Sequence, residues 1–219
     1  MKPSPTDTVQ VTEIFHSIQG ESSHAGKPCV FVRLTGCGLR CTYCDTPYAF
    51  GGGQEMTIDQ VLTEVSQHPT RLVEITGGEP MEQAGVYPLM NSFLDLGYAV
   101  MLETGGHVAL ADVPPTVIKI IDVKCPDSNE GGTFVEGNLE TSAAHDEFKF
   151  VISSRPDYEW SRQFYSQHLV QKPNTVLFSP AHELLPAQEL SEWVLSDGLD
   201  VRIQLQIHKF IWSADTRGV

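Results

Sequence analysis

Three cysteines, Cys37, Cys41 and Cys44, fall within eight residues in the stretch GCGLRCTYCDTPY, and no fourth follows. Thiolates crowded along one loop can wrap a metal centre, whereas cysteines this close in sequence are poor disulfide partners. Structural zinc takes four protein ligands and a [4Fe–4S] cluster normally takes four cysteines, so three ligands leave one coordination position open. An open position on zinc holds exchangeable water; an open iron on a cluster holds a reacting ligand. The zinc alternative needs completion by Cys29, Cys125 or a histidine. Cys29 sits at a strand start and Cys125 at a strand end, where a buried thiol is the simpler expectation.

The elements that must position these cysteines are read from periodicity. Short β-branched and apolar runs predict strands over residues 9–15, 30–34, 72–76, 99–103, 117–123, 147–152, 175–178 and 201–206. Helical patterns lie between several of them. TIDQVLTEVSQH opens with Thr57 and Gln60 in capping-box spacing, and YPLMNSFLDLG ends in Gly97, suited to a C-cap. RPDYEWSRQFYSQHL and PAQELSEWVLSDG complete the set. This alternation implies an α/β fold with a parallel sheet. Gly51–Gln54 reads as a glycine-rich turn, and residues 127–145 as a long polar loop with at most one short helix, serving as a lid or disordered. No domain boundary interrupts residues 1–219, so a single domain is expected.

Ligands of parallel α/β sheets collect at the carboxyl ends of the strands. The cysteine loop follows the second predicted strand, TGGEP (Thr76–Pro80) the third, ETGG (Glu103–Gly106) the fourth and DVKCP (Asp122–Pro126) the fifth. SPAHE (Ser179–Glu183) follows the seventh and QIHK (Gln206–Lys209) the last. Every unusual motif is thereby placed on one rim.

Bulk composition narrows the classes. Against 28 acidic residues stand 14 basic ones, a net charge of −14, which opposes nonspecific binding to nucleic acid or to a membrane surface. No apolar run approaches the roughly 20 residues needed to span a bilayer, and MKPSPTDTVQ has no apolar signal core. A cytoplasmic address is expected, and with it reduced thiols.

The C-x3-C-x2-C spacing with Tyr43 before the last cysteine resembles the radical S-adenosylmethionine (SAM) superfamily, and TGGEP resembles that superfamily's second motif. The resemblance implies a [4Fe–4S] cluster on Cys37, Cys41 and Cys44, with SAM on the open iron, Tyr43 against its adenine, and Gly77, Gly78 and Glu79 near its methionine end. It further implies an incomplete β/α barrel.

A narrower resemblance covers nearly the whole chain. Ser17–Glu21, Arg33, Cys44–Thr46, Thr76–Pro80, Glu103–Gly106 and Gln206–Phe210 together match the marks of the 7-carboxy-7-deazaguanine synthase family of queuosine and 7-deazapurine biosynthesis. That family implies conversion of 6-carboxy-5,6,7,8-tetrahydropterin to 7-carboxy-7-deazaguanine with loss of ammonia, a carbon–nitrogen lyase reaction requiring Mg²⁺. It also implies a homodimer and a reductant such as flavodoxin or ferredoxin. The residues suit the task. Ile18, Gln19 and Gly20 can meet a pterin edge, and Arg33 offers a fork to a carboxylate. Thr46 offers Mg²⁺ a hydroxyl, Thr76 and His208 reach substrate, and Glu103 is the candidate for proton handling. Asp45, Asp122, Val123, Lys124 and Ser179 are candidates for SAM contacts.

Simpler roles stand beside these. Arg33 could form a surface ion pair, Thr46 could cap the turn before Pro47, Glu103 could pair with Lys124, and His208 and Lys209 could merely pack. His16, His24, His68, His107 and His168 read as ordinary histidines. Asp122-Val123-Lys124 in place of the S-P-K of many members puts the SAM contacts there in doubt, and ETGG replaces the commoner asparagine or serine form. A glycyl-radical activase shares the cysteine spacing but has no need of the Gln19–Glu21 segment and Arg33 together; a zinc-binding module without enzymatic activity is the remaining alternative.

Overall fold

The computed structural model describes residues 7–214 and 216–219. Among them one sheet is built from β1 (Thr8–Ile18), β2 (Pro28–Leu34), β3 (Gln54–Thr57), β4 (Leu72–Gly77), β5 (Ala99–Thr104), β6 (Ile118–Asp122), β7 (Glu147–Ile152), β8 (Thr175–Pro180) and β9 (Arg202–Ile203). Their spatial order is β3-β1-β2-β4-β5-β6-β7-β8-β9. β1 runs antiparallel to β2 and β3, and from β2 onward every pairing is parallel. β3 and β9 are free edges, so the α/β sheet is an incomplete barrel, as expected.

The helices are α1 (Ile58–Val65), α2 (Val86–Asp95), α3 (Gly137–Thr141), α4 (Arg155–Phe164), α5 (Ala187–Asp197) and α6 (His208–Ile211). α1 starts where the capping box placed it. The Gln60 N–H donates to Thr57 Oγ1 at 3.2 Å and the Thr57 N–H to Gln60 Oε1 at 2.8 Å, satisfying two otherwise orphaned donors. Gly97, with φ of 78°, takes the left-handed conformation that lets the chain leave α2 for β5.

Strand alternation sorts the sheet into two faces. The outer face carries Val30, Val32, Val73, Ile75, Phe148 and Phe150, packed with Leu89 and Phe93 of α2 and Tyr158 of α4 in the main core. Burying each large apolar side chain there contributes about 1.5–3 kcal/mol. On the inner face, Cys29, Phe31, Leu72, Met101 and Ile120 form a separate small apolar plug. One step further towards the strands' carboxyl ends the inner face turns polar, with Arg33, Glu74, Thr76, Glu103, Asp122 and Lys149 all lining one cavity.

Three expectations change. The glycine turn at residues 51–54 ends sooner than expected, because Gln54–Thr57 extends as β3 and pairs with Thr8–Val11. The last strand is two residues instead of six. Its only neighbour, β8, ends at Pro180, which has no N–H, and the Gln206 side chain turns away to donate to Glu21 at 2.9 Å. Residues 127–145 are neither lid nor disordered. The Asn138 amide pins them, accepting from the Leu110 N–H at 3.0 Å and donating to the Gly106 and Val108 carbonyls, and none of them lines the cavity.

Candidate active site

The cavity encloses about 610 Å³ at the carboxyl ends of the strands. The predicted rim is therefore real. Cys37, Cys41 and Cys44 form part of its wall, half-buried, while Cys29 and Cys125 are fully buried elsewhere as expected. Burial pushes the Cys37 and Cys41 thiols up, so their ionisation needs a cation close by. Among the described residues no three His, Cys, Asp or Glu side chains converge on a single-ion site. The three cysteines share one wall of the cavity, and neither Cys29 nor Cys125 lines it to complete a four-thiol site.

TGGEP explains how that wall is held. Gly78 and Gly77 are approached by the cysteine loop itself. A Cβ at Gly78 would lie 1.9 Å from the Gly36 carbonyl oxygen, and one at Gly77 would lie 2.3 Å from that of Leu34. The Glu79 N–H donates to the Gly36 carbonyl at 2.7 Å. The Glu79 carboxylate, almost wholly buried, is committed to the protein. It accepts from Met81 N–H, Gly105 N–H and Thr104 Oγ1 and faces His107 Nδ1 at 3.5 Å. Glu79 thus clamps β4 to β5, and His107, which bridges Glu79 and Glu82, belongs to that clamp.

Tyr43, Asp122, Lys124 and Ser179 also line the cavity, and the Lys124 and Asp122 charges act on Cys41. Lys124 Nζ pairs with Asp122 at 2.7 Å; burial pushes the Asp122 carboxyl up, but the Lys124 and Lys149 charges together hold it below the ordinary carboxylate range. Val123 does not belong here. It is fully buried in the core, because strand alternation turns it to the outer face between Asp122 and Lys124.

The remaining wall gathers Ile18, Gln19, Gly20, Arg33, Thr76 and His208. Gly20 is glycine because the His208 ring occupies its side-chain position: a Cβ there would lie 1.9 Å from Nδ1. Burial holds His208 below its ordinary range, neutral near pH 7. Arg33 forms the ion pair considered for it, Nε to Glu13 at 2.7 Å, yet it is only 15% exposed, and its end faces the cavity between Phe15 and Tyr48. Asp45 is held by Lys209 and Gln206, both at 3.3 Å, so Lys209 ties α6 to the cysteine loop. Thr46 Oγ1 meets Cys44 Sγ at 3.8 Å and makes no side-chain cap to the following turn.

Glu103 pairs with Lys149, not with Lys124. Lys149, Glu74 and Glu21 are charged residues of the cavity floor to which sequence reading assigned no role. The signal for two of them was available: Glu74 and Lys149 are charged residues inside apolar strands, at the parity of Thr76 and Val151. The tail after α6 also contributes. Ala214 and residues 216–219 line the cavity, and the Arg217 guanidinium lies 4.0 Å from the Tyr48 ring centroid.

Comparisons with known proteins agree with this geometry. Residues 31–123 match the family model described as the radical SAM superfamily. The chain is 50% identical to the 7-carboxy-7-deazaguanine synthase of Koribacter versatilis, across 96% of this chain and all of that one. It is 44% identical to the synthase of the same name from Chlorobaculum tepidum, across 96% and 97%. Its fold matches the crystal structure of QueE from Escherichia coli with a TM-score of 0.77 at 21% identity, covering 91% of this chain and 94% of that one.

Proposed function

Since the chain belongs to the 7-carboxy-7-deazaguanine synthase family of the radical SAM superfamily, we propose that its cavity converts 6-carboxy-5,6,7,8-tetrahydropterin to 7-carboxy-7-deazaguanine, with ring contraction and loss of ammonia. It is a radical SAM enzyme with a [4Fe–4S] cluster and SAM as cofactors. The observation that carries the substrate reading is the meeting, in one cavity, of the three-thiol wall and a separate polar wall of Gln19, Arg33, Thr76 and His208.

The residues present fit both groups. Cys37, Cys41 and Cys44 would hold the cluster, and Tyr43, Asp122, Lys124 and Ser179 would hold SAM. When bound, cluster and SAM supply a carbon-centred radical able to abstract hydrogen. The chain's own contribution is position and protonation. The Arg33 fork binds the substrate carboxylate, and the edge formed by Ile18, Gln19 and Gly20 orients the pterin ring. Neutral His208 packs on Gly20 and closes that edge. Glu103, whose carboxyl burial raises despite Lys149, is suited to hold or release a proton. Thr46, with the substrate carboxylate and water, would complete a Mg²⁺ site, since Mg²⁺ commonly keeps few protein ligands. The Ala214 and 216–219 segment screens the pocket from bulk water.

The whole chain acts as one domain, and a one-electron donor of the flavodoxin or ferredoxin kind supplies the cluster. Among the described residues no helix is long and apolar enough to cross a membrane. We place the enzyme in the cytoplasm as a homodimer on its family resemblance. The deciding assay supplies anaerobically reconstituted protein with SAM, reductant, Mg²⁺ and the carboxytetrahydropterin. The expected result is 7-carboxy-7-deazaguanine in excess over SAM consumed. SAM cleavage without the deazaguanine acid would return the chain to the glycyl-radical activase alternative.

A further inference from the structure

The floor of the cavity holds an uneven set of charges. Lys149 projects from β7 into the inner polar layer and is 4% exposed. Its Nζ lies 3.1 Å from Glu21 and 3.5 Å from Asp122, and it pairs with Glu103. A fourth acid, Glu74 on β4, is bonded to the Gln19 amide beside this group. The other cation facing the floor, Lys124, is already paired with Asp122. Around Glu21 stand also Asp45, Gln206 and His208. One ammonium therefore serves carboxylates delivered by the β1–β2 turn, β5 and β6.

We propose that Lys149 is the positioning residue of this pocket, its ammonium holding Glu103 and Glu21 on the substrate side and Asp122 on the SAM side in one fixed array. The proposal rests on the substrate reading above. A single point charge with three donors is suited to three carboxylates arriving from different directions, as a planar guanidinium is not. Burial raises all four carboxyls. Burial is offset at Glu21 by Lys149 with the Gln206 hydrogen bond, and at Asp122 by Lys124 with Lys149, but Lys149 does not offset it at Glu103 or Glu74. The lysine thereby decides which acids accept hydrogen bonds from a pterin's N–H groups and which retain a proton. Because the groups interact strongly, they titrate as a set.

The test is equilibrium dialysis of pterin-6-carboxylic acid against reconstituted holoenzyme with SAM, from about pH 5 to about pH 9, a range spanning the carboxyl titrations of buried sites. In Lys149→Met the acids lose their shared cation. The pH at which binding is half-maximal should rise by about one unit, a roughly tenfold loss of affinity on the acid side that fades at high pH. A loss equal at every pH would indicate mere structural damage and overturn the proposal. Lys149→Arg keeps the charge but misplaces its donors. It should bind about tenfold more weakly with an unchanged midpoint; wild-type affinity, or a moved midpoint, would overturn the proposal even if the methionine variant does not fold. Wild-type protein that takes up no pterin at any pH would overturn the substrate reading, and this proposal with it, whereas a binding wild type with an unmoved methionine variant overturns this proposal alone.

Discussion

Two lysines, both inside the protein, lie on opposite faces of the same sheet. Lys119, in β6, is 2% exposed, points to the helix side and meets one carboxylate, Asp146, at 2.8 Å. Asp146 also accepts from backbone, with the Lys119 N–H at 2.9 Å on one oxygen and the Ala143 N–H at 2.7 Å on the other, and the His145 ring lies 3.7 Å from the first of these oxygens. Lys149, in the adjacent β7, points into the cavity and meets Glu21, Glu103 and Asp122. The first site is balanced and closed; the second has more anions than cations and opens onto 610 Å³ of space. Balanced buried charge fixes the fold, whereas unbalanced charge at a strand's carboxyl end is available to a ligand.

The sharpest way to break this contrast is to remove the balanced lysine. Lys119→Met leaves Asp146 a buried charge without its lysine and should cost about 3–5 kcal/mol, read by guanidinium unfolding. The double variant Lys119→Met/Asp146→Asn should recover much of that, because the remaining oxygen still accepts a backbone bond. Turnover per folded molecule should not change in either. A cost below about 1 kcal/mol, in the range of a surface pair, would mean that Lys119 is not the structural member of the comparison.

Much of this was legible in the sequence, but unevenly. The cysteine spacing, TGGEP and the strand order placed the rim correctly, because such motifs depend on local spacing and strand ends alone. β3 was missed because Gln54–Thr57 has only Thr57 as a β-former and pairs with β1. Lys149 was missed for a different reason. In EFKFVI it is one polar residue among apolar ones, and in IKIID Lys119 looks the same. Only the parity relative to the barrel axis, fixed by neighbouring strands, separates the cavity-facing residue from the helix-facing one. Val123 was misplaced by the same omission, since its neighbours Asp122 and Lys124 face the cavity. The Glu103 partner could not be read at all, because the two residues are 46 positions apart in sequence.

A smaller effect sharpens the unbalanced side. Asp122 shares Lys149 with the other acids while holding Lys124 at 2.7 Å. Asp122→Asn releases Lys124 from its anchor near the cysteines and should weaken SAM binding about tenfold, equivalent to ~1.4 kcal/mol. Equilibrium dialysis with SAM measures it. Unchanged SAM affinity would remove Asp122 and Lys124 from the cofactor's side of the pocket.

The smallest effect concerns the acid that Lys149 does not reach. Glu74 is buried, donated to by the Gln19 amide, and its carboxyl is pushed well above the ordinary range, first by burial and then by Glu103 and Glu21. A group whose folded pKa exceeds its unfolded one binds more protons in the folded state, so stability falls as pH rises from the unfolded value towards the folded one. Glu74→Gln abolishes that penalty, and glutamine can still accept from Gln19 and donate to Glu103. Below about pH 4 the variant should match the wild type, and by about pH 7 it should be more stable by on the order of 1 kcal/mol. Glu21 and Asp122 give the opposite sign. Their carboxyls sit below the ordinary range, so what they contribute is present above the unfolded pKa and is lost as pH falls through the folded one. Thermal unfolding of Glu74→Gln and wild type across that range reads the difference directly. A pH-independent loss of stability would show that Glu74 is ionised and satisfied in the fold, placing it among the acids that Lys149 holds.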